Sequence, residues 1–76
     1  MEMTICGVLV GYCTSTQQAE GSGVFYNYVR PAEGFEFPDN TTFVKVDFHE
    51  KTATFFDSSY ETLGERPLST LVGDAA

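Results

Sequence analysis

The sequence predicts one β-rich domain, all-β or α+β, with about four antiparallel strands as a meander or partly closed barrel and one short helix. Two stretches carry that prediction. Thr41 to Asp57 places two Val/Thr/Phe-rich segments around the charged break His49-Glu50-Lys51, which is a β-hairpin signal. Val24 to Arg30 is a second run of alternating β-branched and aromatic residues. The 76 residues leave room for a single domain, 1–76, whose thin core buries only ~60% of the surface the unfolded chain exposes. A 42% hydrophobic and 14% aromatic content argues that the chain folds despite its charge.

In chain order, Met3 to Cys13 is apolar on both faces and reads as one central strand covered on both sides, with Gly7 and Gly11 marking a bend, a bulge or a close approach. Cys6 and Cys13 would then lie ~23 Å apart, far beyond the ~7 Å reach of a disulfide, and are expected to be buried free thiols. Thr14 to Gly23 turns polar and reads as a loop whose Gly21-Ser22-Gly23 end is a hairpin connection rather than a phosphate site, since no third glycine or lysine completes a fingerprint.

Along the next strand, Tyr26, Tyr28 and Arg30 share a face, either as a contact stripe or as amphipathic cover for the core. Pro31 to Asn40 breaks the pattern. Within it, Phe35 and Phe37 either form a short edge strand folding back on the core or stand exposed among Glu33, Glu36 and Asp39.

For the hairpin, the loop length selects the core face. The available turn residues favour a four-residue loop, His49 to Thr52, over two- or three-residue loops that want Asn-Gly or Gly, and this puts Val46, Phe48, Ala53 and Phe55 in the core. Ser58 and Glu61 have capping-box spacing, so a helix of one or two turns is expected there, stopped by Gly64. Leu68, Leu71 and Val72 then lie under the sheet in a last strand or turn, and Gly73 to Ala76 fray.

No constellation here points to catalysis, and the chain is expected not to be an enzyme. Cys6, Cys13 and His49 lack metal-ligand spacing, so no metal and no cofactor is expected. Eleven acids against four bases give a net charge of −7. That charge repels nucleic acid and anionic membrane and attracts basic surfaces. Eight of the 11 acids fall between residues 33 and 65, where only Lys45 and Lys51 oppose them. The absence of a charged start followed by an apolar segment reads as cytoplasmic.

In general character, small, acidic and without catalytic motifs, the chain is similar to phage-encoded inhibitors of host defence, anti-restriction and anti-CRISPR proteins among them. This is a similarity of character and not of residue pattern. The expected function is stoichiometric inhibition of a nucleic-acid-handling protein by binding its basic surface, with nucleic-acid mimicry by the carboxylates. Glu33, Glu36, Asp39, Asp47, Glu50, Asp57 and Glu61 would supply attraction, and Phe35, Tyr26 and Tyr28 would anchor the contact. The alternative is an assembly subunit that oligomerises through an exposed strand edge; a homodimer would cover such edges.

Overall fold

In the computed structural model, which describes residues 1–19, 21 and 23–72, the apolar run at the start of the chain reverses on itself. Strand β1 (Glu2–Ile5) pairs antiparallel with β2 (Val8–Gln18), and Ile5 faces Val8 across a two-residue turn. Cys6 and Gly7 both have positive φ, 52° and 80°. A tight turn of that geometry matches the right-handed twist of the strands it joins. The single central strand expected over Met3–Cys13 is therefore two strands, and Cys6 is exposed in their turn while Cys13 is buried; both thiols are free. The buried thiol is pushed above its ordinary value by loss of solvent.

β2 continues through Thr14–Gln18, where a loop was expected. It pairs with β3 (Gly23–Pro31), and the Ala19 N–H donates to the Gly23 carbonyl at 3.0 Å to close the hairpin. The expected flexible end, Gly21-Ser22-Gly23, lies partly outside the described residues, as does the expected fraying of Gly73 to Ala76.

A connection over residues 32–42 leads to β4 (Phe43–Asp47), β5 (Thr52–Phe56) and β6 (Thr62–Pro67), followed by helix α1 (Leu68–Val72). The strands form one open antiparallel meander in the order β1-β2-β3-β4-β5-β6. The β-rich class with one short helix is as the sequence predicts. Among the described residues the strand count is six rather than four, because the first apolar run turns back at Cys6-Gly7 and Thr62–Pro67 pairs as a further strand.

Val46 faces Ala53 and Val44 faces Phe55, so the four-residue loop spans 48–51, one residue earlier than expected. The parity survives this shift, and Val44, Val46, Ala53 and Phe55 are fully buried. Phe48 does not join them: it falls in the loop and is 40% exposed. Lys51 takes the left-handed position that ends such a loop, with φ 58°.

The helix expected at Ser58 does not form. Asp57 claims the turn instead, its Oδ1 accepting from the Ser59 and Glu61 N–H groups at 2.8 and 3.0 Å, and the chain goes on into β6. The helix forms at Leu68–Val72, and its Leu68 N–H donates to the Lys51 carbonyl at 2.9 Å.

One face of the sheet holds the core. Met3, Ile5, Val10, Cys13, Tyr26, Val44, Val46, Ala53 and Phe55 pack there under Leu68 and Leu71 of α1, with Phe35, Phe37 and Val72 against the cluster. Phe35 and Phe37 thus fold onto the core, but as an irregular segment rather than a strand. Phe37 stacks on Tyr28 at 4.5 Å between centroids and meets Phe55 edge-on at 5.4 Å.

Candidate binding face

The other face of the sheet carries a cluster of aromatic side chains. Register fixes their places. Phe25, Lys45, Thr54 and Glu65 form one cross-strand row, and Asn27, Phe43, Phe56 and Thr62 form the next. Phe25 is therefore diagonal to Phe43, a distance aromatic rings can bridge. Their ring centroids lie 5.4 Å apart, and Phe25 and Phe56 lie 6.1 Å apart. All three rings are half-buried.

The turn between β5 and β6 folds over this cluster. Tyr60 lies parallel to Phe43 at 4.5 Å and 3°, and 6.2 Å from Phe25. It remains 63% exposed. Val29, 54% exposed, continues the alternation of Phe25 and Asn27 along β3. Asn27 is held by a hydrogen bond from its Nδ2 to Ser15 Oγ at 2.5 Å.

The charged side chains around the face are distributed by topology. In an antiparallel meander, alternate connections lie at opposite ends of the sheet. Asp57 and Glu61 lie at the end where the β5–β6 turn sits, while Glu33, Glu36 and Asp39 ride on the 32–42 segment, which packs on the core side of the sheet and brings Glu36 beside Arg66 and α1. Asp47 and Glu50 lie at the other end, ~17 Å away along β5. The expected acids are therefore divided among the Tyr60 turn, the 32–42 segment and the far hairpin.

Asp47 and Asp57 also have structural work. The Asp47 carboxylate accepts from the His49 and Glu50 N–H groups at 2.9 and 3.0 Å. Chiefly the Glu50 hydrogen bond, opposed by some desolvation and helped by the His49 N–H, Lys45 and the His49 ring, holds its pKa below the ordinary carboxylate value. On the aromatic face itself, Glu65 Oε2 accepts from Thr54 Oγ1 at 3.3 Å.

Of the expected aromatic anchors, none lies on this face. Tyr26 is 6% exposed within the core. Tyr28 and Phe35 are half-buried on the core side, and burial pushes the Tyr28 hydroxyl up to about 12. The stripe of Tyr26 and Tyr28 is core cover. Arg30 sits with its guanidinium carbon 4.0 Å from the centre of the Tyr12 ring. Phe25, Phe43, Phe56 and Tyr60 are the surface aromatics that the sequence reading passed over. Their signal was parity, since Phe43 and Phe56 oppose the Val44/Val46/Phe55 face and Phe25 opposes the Tyr26/Tyr28 face.

A second concavity, open and about 490 Å³ in volume, lies between the 32–42 segment and α1, with Glu36 and Arg66 among its lining residues. It lies outside the sheet rather than within a closed barrel. The Arg66 guanidinium is already engaged there, donating to the Thr70 carbonyl at 2.8 Å. Among the described residues, no group of three or more His, Cys, Asp or Glu is placed to hold a metal ion, and no helix is long and apolar enough to cross a membrane.

Comparison with protein-family models, curated proteins and solved structures finds no match to this chain.

Proposed function

We propose that this chain works by binding rather than by catalysis, docking the face built from Phe25, Phe43, Phe56 and Tyr60 onto a cationic protein surface. The observation that carries this reading is an aromatic cluster whose outer ring, Tyr60, is 63% exposed, on a chain of net charge −7. Aromatic side chains anchor interfaces, while carboxylates around them steer a basic partner and reject acidic ones. Single-stranded nucleic acid also stacks on such faces, but its sites pair the aromatics with a positive groove, and the charge here has the opposite sign. Proteins that handle nucleic acids are the partner class with the required basic surface. Occupying that surface would make the chain a stoichiometric inhibitor.

Assembly through a strand edge is the less favoured reading: β1 and β6 are blunted, and the length of β2 that runs past β1, Thr14–Gln18, is polar. β1 has four residues, and β6 contains Gly64 and Pro67 and pairs through a bulge.

The test compares capture from a bacterial lysate by the wild-type chain and by Phe25→Thr, at low and high salt, with light scattering on both. Cationic nucleic-acid-handling proteins captured by the wild type, and lost with salt or with Phe25→Thr, support the reading. A salt-resistant oligomer that captures only itself, unchanged by Phe25→Thr, overturns it in favour of edge assembly.

A further inference from the structure

We infer that an arginine side chain of the basic partner stacks on the solvent side of Tyr60, with Glu61 as its carboxylate. This rests on the binding face described above and names what that face recognises. Three observations carry it. Phe43 covers one side of the Tyr60 ring at 4.5 Å, while the residue stays 63% exposed. The ring is thus braced from below and open above.

The charges then choose where on the face a cation sits. Lys45 is directly opposite Phe25, so a second cation is repelled there. Glu61, exposed, adjoins Tyr60 in the same turn, and Asp57 closes that turn.

Finally, the chain makes the same contact internally, with the Arg30 guanidinium 4.0 Å from the Tyr12 ring centre. A guanidinium is planar, weakly hydrated and able to stack while its edge meets a carboxylate; an ammonium does none of these as well. Arginine is therefore preferred over lysine at equal charge.

The experiment titrates the isotopically labelled chain with a Gly-Arg-Gly-Arg-Gly peptide and with its lysine counterpart, at low salt, following aromatic and backbone resonances by NMR. The arginine peptide is expected to bind roughly two- to fivefold tighter and to shift Tyr60, Phe43 and Glu61. Tyr60→Gly, which suits the left-handed backbone at this position and so keeps the fold, is expected to abolish the preference. Equal binding of the two peptides, or arginine shifts confined to Asp47 and Glu50, overturns the stacking inference while leaving a cation-binding surface. Binding of neither peptide overturns the cationic-partner reading and this inference with it.

Discussion

Tyr60 stacks on Phe43 from a backbone conformation that disfavours it. Its φ is 63°, and the rings are 3° from parallel. The turn explains the combination. The Tyr60 N–H donates to the Asp57 carbonyl and the Asp57 N–H to the Glu61 carbonyl, both at 3.0 Å, which makes a three-residue hairpin loop with Tyr60 at its left-handed position. Glycine or asparagine usually fills that position. A bulky residue there costs about 1–2 kcal/mol, offset in part by a stack worth about 0.5–1.5 kcal/mol.

Two substitutions separate those contributions. Tyr60→Gly loses the stack but relieves the backbone, so its stability is expected within about 1 kcal/mol of wild type. Tyr60→Ala loses the stack and keeps the strain, and is expected about 1 kcal/mol less stable than Tyr60→Gly. Urea unfolding checks the order. Alanine more stable than glycine would show that position 60 is not held left-handed in solution.

The β4–β5 register gives a second pair. Phe55 is fully buried and edge-on to Phe37, so Phe55→Ala is expected to cost about 3–5 kcal/mol. Phe48, 40% exposed in the loop, is expected to tolerate Phe48→Thr within about 0.5 kcal/mol. Urea midpoints for the two variants decide it; a slip of the register by one residue would bring their costs together.

That pair also shows what could be read in the chain. The parity of Val44, Val46, Ala53 and Phe55 follows from side-chain alternation alone, so the core face was legible while the loop position, which depends on turn geometry, was off by one. Cys6-Gly7 went unread because a run apolar on both faces hides a turn and cysteine is an unusual first residue for it. Ser58 and Glu61 fit a helix cap, yet Asp57 offered the same N–H groups a carboxylate in a shorter turn. The acids were legible as composition, but topology divides them between the two ends of the sheet and the 32–42 segment. The aromatic face needed the pairing of β3 with β4, which brings Phe25 diagonal to Phe43.

Gly11 marks a close approach of strands. A Cβ there would lie 2.9 Å from the Arg30 carbonyl oxygen and 3.4 Å from the Tyr28 ring. Gly11→Ala is expected to destabilise by about 1–3 kcal/mol. At Gly64 a Cβ meets nothing within 4 Å, and Gly64→Ala is expected to stabilise by about 0.4–1 kcal/mol. Opposite shifts of the urea midpoint are the expected result; parallel shifts would contradict the β2–β3 packing.

Acid pH acts on the β4–β5 loop through Asp47. Its native pKa lies below the ordinary 3.8, chiefly because the ionised carboxylate accepts the Glu50 N–H. The stability this contributes is fully present above 3.8 and is lost as pH falls below it through the native value. Asp47→Asn keeps an oxygen for the turn without the charge, so its stability is expected to fall less steeply than wild type over that range. Identical acid profiles would show that the carboxylate makes no such hydrogen bonds in solution.

At the alkaline end the sign comes from the neutral form. Burial raises the Tyr28 hydroxyl from 10.0 to about 12, because its ionised form would lose solvent beside Phe37. An unfolded chain ionises this group near 10.0 while the native chain holds it neutral. The contribution is therefore complete below 10.0 and is lost as pH rises toward about 12. Tyr28→Phe keeps the ring on Phe37 and removes the titration, so its stability is expected to decline less over that interval. Some decline remains in the variant, since burial also raises Tyr26. Urea midpoints at stepped alkaline pH read the difference. Superimposable curves for wild type and Tyr28→Phe would mean that the Tyr28 hydroxyl is solvated and the 32–42 segment does not cover it.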